Sequence, residues 1–291
     1  MTRYLIPALV AFTSIPAAAQ DGSGLTFGGD VKLEYTDVGS GVWALDGDVS
    51  ASWRSGGALG FDAALDTTYL DDGSDFTNLW AALVLSTGAG EFAVGAPRPL
   101  IDSMAVMPRF SSSRLVDLET SLLSGMVAPL ASAVDSGLTP GVTWTQEAGN
   151  LTFGGGYHHL NDENVDLAQG VMRFEAGATS LFINGEFATA PGSDATTLQI
   201  GALHDADRFD IGAAFTRFDA GDTINTVRLH GSVDVMSALS LRGDALLIQD
   251  SSDIYSLSAS YSLDNGLYVE GGGTKVVGQD EILDIGVGYK F

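Results

Sequence analysis

The residue types that could make or break bonds are few in this chain, and their spacing decides little. His158 and His159 stand just before Asp162 and Glu163, a set of side chains that could hold a divalent cation. Nothing in that spacing fixes a coordination geometry, so an exposed polar loop is the plainer reading. His230 alternates with Arg228 and Ser232 and could act as a base in a hydrolase. No Ser or Asp partner follows from spacing, and a hydrated lone histidine is the plainer reading. Gly154-Gly-Gly156 and Gly271-Gly-Gly273 lack the strand-to-helix setting of a phosphate loop; they suit places where strands bend or approach closely. There is no cysteine, hence no disulfide and no thiolate chemistry. No cofactor motif is present, and no cofactor or metal is expected. What remains is charge. Acids outnumber Lys plus Arg by 37 to 13, which excludes a nucleic-acid partner.

Those charges sit on a recurring frame. Leu25, Phe27, Val31, Leu33 and Tyr35 alternate with Thr26, Asp30, Lys32, Glu34 and Thr36, and Tyr255, Leu257, Ala259 and Tyr261 alternate with serines. Period two puts one set on each face of a strand. Sixteen such segments can be counted: 25–36, 42–54, 58–70, 77–87, 90–96, 140–146, 150–158, 166–176, 180–189, 196–204, 208–217, 224–235, 238–248, 254–263, 267–276 and 281–291. Most approach the roughly 9 to 11 residues of a tilted membrane strand. Within 77–87, Leu79 and Trp80 compete for the apolar face. Short turns such as Ser55-Gly-Gly57 and Asp264-Asn-Gly266 alternate with longer acidic connections such as Asp71-Asp-Gly-Ser-Asp75 and Gly192-Ser-Asp194. This is the layout of an all-β, antiparallel transmembrane barrel with an even strand number. With the chain starting on the periplasmic side, Phe27, Trp53, Phe61, Phe153, Phe174, Phe209, Tyr261, Tyr289 and Phe291 fall at one rim. Tyr35, Trp43, Tyr69, Tyr157, Phe187 and Tyr255 fall at the other, as two interfacial girdles would.

Both ends agree. Leu283, Ile285, Val287, Tyr289 and Phe291 form an apolar stripe opposite Asp284, Gly286, Gly288 and Lys290. This aromatic ending resembles the carboxy-terminal signature that assembly machinery reads on Gram-negative outer-membrane proteins, with Tyr289 and Phe291 as the assembly signal. At the other end, basic Arg3, an apolar stretch from Tyr4 to Phe12 and Ala17-Ala-Ala19 read as a cleaved signal peptide over 1–19. Residues 20–291 are then the barrel, exported to the outer membrane and bathed in its lipid.

One connection breaks the pattern. Residues 97–139 carry Pro97, Pro99, Pro108 and Pro129, yet Leu115, Val116, Leu118, Leu122, Leu123, Met126 and Val127 make the segment too apolar for disorder. It must pack against something, and 111–123 could form a short amphipathic helix. Sixteen strands with the longest loop after the fifth resemble a general bacterial porin, of α-proteobacterial type, and Leu83 to Arg98 resembles the hairpin before the loop in such proteins. The chain lacks a close match to the acidic motif at the loop tip of enteric porins. The resemblance implies a homotrimer, and a third loop folded inward to narrow a water-filled channel for ions and small hydrophilic solutes. It also implies loop acids facing a cluster of wall arginines. Loop candidates are Asp102, Arg109, Arg114, Asp117, Glu119 and Asp135. Wall candidates, by inward parity, are Lys32, Asp48, Arg54, Arg173, Glu175, Arg228 and Arg242.

Two rival classes stay open. A barrel enzyme or a solute-specific channel shares the frame, whereas a soluble adhesin would lack the girdles and the terminal Phe291. Removal of Arg3 leaves 37 acids against 12 Lys plus Arg, so a channel of this composition should weakly prefer cations.

Overall fold

The computed structural model describes residues 24–39, 41–124, 138–161 and 164–291. The expected signal peptide, Asp135, Asp162 and Glu163 lie outside the described residues. The strands are β1 (Leu25–Asp37), β2 (Val42–Arg54), β3 (Leu59–Leu70), β4 (Asp75–Thr87), β5 (Gly90–Ala96), β6 (Gly141–Ala148), β7 (Leu151–Leu160) and β8 (Val165–Ala176). They continue with β9 (Thr179–Ala190), β10 (Ser193–Ala206), β11 (Phe209–Asp219), β12 (Thr223–Met236), β13 (Leu239–Ile248), β14 (Ile254–Ser262), β15 (Leu267–Val276) and β16 (Glu281–Lys290). Each pairs antiparallel with its neighbours in sequence, and β16 returns to β1 from Asp30↔Lys290 to Asp37↔Leu283, closing the barrel. Closure satisfies every ladder internally, the condition for crossing a lipid core that offers no hydrogen bonds.

The two faces separate by parity. Outward lie Leu83, Leu257 and Ile285, which are 71%, 68% and 58% exposed, a surface that suits lipid and not water. Leu79 also points outward, whereas Trp80 is buried inside at 2%. Trp53, Phe61, Phe174, Phe209 and Tyr261 are exposed toward the short turns, and Trp43, Tyr69, Tyr157, Phe187 and Tyr255 toward the opposite rim. One expectation is corrected. β10 begins at Ser193, so the connection placed at Gly192-Ser-Asp194 is only Pro191 and Gly192. The β9–β10 ladder, which reaches Ser193↔Ala190, continues past the alternating stretch that was legible as a strand.

The long connection supplies the interior. β5 stops at Ala96 after seven residues, and the residue before that exit, Gly95, has a φ of +134° while still paired with Ala82 and Gly141. Its described part holds two helices, α1 (Leu100–Ser103) and α2 (Arg114–Ser124). The first was not anticipated; the second overlaps the expected 111–123. Leu100 and Ile101 pack on Val171, Met107 on Phe182 and Ala214, and Phe110 and Val116 on Leu246 and Ile254. All five wall residues lie at inward parity on β8, β9, β11, β13 and β14. The apolar residues of the segment therefore find their partners inside the barrel, where burying them stabilises the loop.

Candidate functional site inside the barrel

Alternation decides which wall charges meet the loop. On β1, β2 and β3 the inward positions Lys32, Glu34, Asp46, Asp48 and Asp66 line one side of the lumen. The loop answers with cations. Arg98 makes a two-pronged contact with Asp48 at 3.1 and 2.9 Å and also bonds Asp102. Arg109 reaches Asp46 at 2.9 Å. Arg114 grips Asp66 at 3.0 and 2.9 Å, stands 3.2 Å from Asp46 and donates to Thr68 at 3.1 Å. Burial opposes the charge on Arg114, but Asp66, then Asp46 and Asp117, outweigh it and hold its pKa above the ordinary arginine value.

The backbone is fixed on the same wall. Glu34 accepts from the Arg114 N–H at 3.1 Å and from the Ser113 hydroxyl at 2.9 Å, placing a carboxylate at the amino end of α2, where the helix dipole favours it. Lys32 donates to the Ser112 carbonyl at 2.6 Å and pairs with Glu34 and Glu270. Asp117 accepts from the Phe110 N–H at 2.8 Å. Across the lumen, Gln169 of β8 accepts from Leu100 N–H at 3.0 Å, and Thr226 and Arg228 of β12 donate to the Leu123 and Arg109 carbonyls at 2.7 and 3.0 Å. The segment is thus held from several sides. Between it and β2–β4 a space of 130 Å³ is edged by Asp48, Asp66, Asp102 and Asp117 together with Arg98, Arg109 and Arg114.

The expected polarity is reversed. Loop arginines face wall acids, because the inward positions of β1–β3 are dominated by carboxylates. The wall arginine that touches the loop, Arg228, is itself neutralised by Asp244 at 2.6 Å.

A closed sixteen-stranded barrel with an internal loop can be compared with known proteins. The model of the Gram-negative porin family matches residues 7–291. The chain belongs to this family. A variant of the Rh. blastica porin is 16% identical with a TM-score of 0.65, over 92% of this chain and 100% of that one. OmpT, an outer membrane protein of Vibrio cholerae solved in its trimer form, is 15% identical with a TM-score of 0.66, over 93% and 100%. These two are likenesses of fold. No curated protein matches the sequence. Family membership makes this porin an outer-membrane channel protein.

The remaining candidates fall into four places in the porin. Glu119 is exposed on α2. Arg54 pairs with Asp62 and Glu91, and Arg173 with Glu175 and Ser180, all near the short-turn rim and with no loop residue among these partners. Arg242 stands 3.8 Å from Asp244 and borders the open lumen. Tyr289 and Phe291 stack with ring centroids 6.0 Å apart at the seam of the barrel. Arg98, Asp46, Asp66 and Asp244 are not among the candidates; inward parity places Asp46 and Asp66 in the lumen without giving them a role.

Among the described residues, His158 and His159 form no shared site. Consecutive strand residues point to opposite faces, and His158 is buried inward while His159 bonds Asp166 at 2.9 Å on the outer side. A joint cation site for the pair is thereby corrected. His230 lies between Asp244 at 3.0 Å and Asp210 at 2.6 Å. Ser232 turns its hydroxyl to Asp210. With carboxylates at both ring nitrogens, no nucleophile occupies the place a serine-hydrolase arrangement requires.

Proposed function

We propose that this porin is a passive, water-filled diffusion channel for ions and small hydrophilic solutes, and that the 97–139 segment is its constriction. One observation carries the reading: the described part of the loop lies within the closed barrel, bonded to inward side chains on opposite walls. Sixteen strands are wide enough to leave an aqueous lumen, and charges lining a narrow point set the field a solute crosses. Asp48, Asp102, Arg109, Arg114 and Asp117 border that point with Arg98 and Asp66, while Lys32 and Arg228 hold the loop in place. Arg54, Arg173 and Glu175 are rim charges on this reading. On this reading none of the described residues is catalytic, and the barrel assembles as a homotrimer after export with a cleaved leader, the trimeric state being that of the OmpT structure.

Planar-bilayer recording tests the channel. Discrete, water-filled conductance is expected from the refolded barrel. Replacing residues 104–124 by a short Gly/Ser linker should raise single-channel conductance while the barrel still shows heat-modified gel mobility. Unchanged conductance in a compact variant would remove the loop from the permeation path. Hydrolysis of ester or peptide substrates by the refolded barrel would favour the enzyme alternative.

A further inference from the structure

On the short-turn side of the loop, Asp30, Asp48 and Glu270 border a cavity of 440 Å³ together with five cationic side chains. Each acid has a committed partner. Asp48 is held by Arg98 at 2.9 and 3.1 Å, Glu270 by Lys32 at 2.9 Å, and Asp30 by the Tyr268 hydroxyl at 2.7 Å. The other three cations are sparsely engaged. Arg109 gives one nitrogen to Asp46 and keeps a side chain 39% exposed. Arg242 meets Asp244 at 3.8 Å, and Lys290 meets Asp30 at 4.0 Å and lies 5.1 Å over the Tyr268 ring. Loop, β13 and β16 therefore bring three cations with unused N–H groups to one chamber, whose lining holds five cationic and three acidic side chains, with Asp46 and Asp244 standing behind Arg109 and Arg242.

A second recess of 220 Å³ shares Arg242 and Glu270 with this chamber and is walled by Ser240, Ser258 and Ser260, with Asp210, His230 and Ser232 on its far side, where Ser232 donates to Asp210. Its hydroxyls can both donate and accept.

We propose that this chamber binds multivalent oxyanions bearing hydroxyl groups, the class of hydroxylated polycarboxylates and phosphate esters. Arg109, Arg242 and Lys290 engage the oxyanion groups, and the serine recess takes the hydroxyls. Two separated negative groups satisfy cations arriving from three elements; a monovalent acid satisfies one. The inference rests on the channel reading for delivery of the solute, and on the cavity alone for its binding. Charge-assisted bonds formed in a partly enclosed chamber are stronger than those in open water.

Calorimetric titration of the detergent-folded barrel with citrate, inorganic phosphate and acetate, at low ionic strength, tests the site. Citrate and inorganic phosphate should each bind more tightly than acetate, and phosphate binding no tighter than acetate would strike phosphate esters from the proposed class. Arg242→Gln and Lys290→Gln, singly and together, should weaken citrate binding, the pair by about tenfold or more. Heat-modified gel mobility identifies the variants that keep the barrel. Unchanged citrate binding in a compact double variant, or acetate binding as tight as citrate, would overturn the proposal. In a bilayer, citrate added on the short-turn side should reduce potassium chloride current more than citrate added opposite. Calorimetry needs no conduction, so a silent but citrate-binding barrel would overturn the channel reading alone. A conducting barrel that binds no citrate would overturn the oxyanion site alone.

Discussion

Arg114 concentrates the energetics of the loop. It is 8% exposed and faces Asp66 and Asp46, themselves 5% and 4% exposed. Such a pair costs desolvation on both sides, so its presence stabilises less than its removal destabilises. Arg114→Met should leave the buried Asp66 without its main partner and Asp46 ion-paired with Arg109 alone, and cost about 3–5 kcal/mol of loop docking. The expected readout is new protease cleavage between residues 104 and 124 in a barrel that still migrates as compact. A protected loop in that variant would show that Phe110, Val116 and Glu34 hold it unaided. Parity made Asp46 and Asp66 visible as lumen acids. It could not pair them with Arg114, which is distant in sequence and reaches them only because the loop folds back.

Two elements control where the chain leaves and closes the wall. At the exit of β5, Gly95 has φ +134°, and a β-carbon there would meet the Ala81 carbonyl oxygen at 2.7 Å. Gly95→Val should cost about 1–3 kcal/mol and lower the fraction of barrel that resists heating on a gel. At the seam, Phe291 and Gly29 exchange both backbone hydrogen bonds at 3.1 Å, and the Phe291 ring is 40% exposed toward lipid. Deleting Phe291 should reduce the amount assembled in the outer membrane, while channels that do assemble keep their conductance. Normal assembly of the deletion would remove Phe291 from that role. The seam was legible because its stripe of Leu283, Ile285 and Val287 is local. The glycine exit was not, because its conformation reflects a loop that departs inward.

For the whole molecule, the balance of 37 acids against 13 basic residues should make potassium permeate more readily than chloride. The preference should be modest, and it should fade as salt rises, since screening acts over about 8 Å at physiological ionic strength. Reversal potentials across a potassium chloride gradient, repeated at increasing ionic strength, measure both. Anion preference in dilute salt would place Arg109, Arg242 and Lys290 in control of the pore in preference to the global charge.

The sequence by itself determined the barrel. Period-two alternation, turn chemistry and aromatic positions are local properties, and each strand pairs with its sequence neighbours, so the ladder follows from reading along the chain. It determined as well that the long apolar connection had to pack somewhere, since Leu115, Val116 and Leu123 could not remain in water. Tertiary structure alone decided what that connection meets. Inward Val171, Phe182, Leu246 and Ile254 look like lapses in the alternation until the loop covers them, and wall carboxylates look like solvated lumen charges until Arg98, Arg109 and Arg114 arrive. Those contacts join residues tens to more than a hundred positions apart, and no local periodicity encodes them. The polarity of the site, arginines on the loop and acids on the wall, is therefore a property of how the loop lies across the closed barrel.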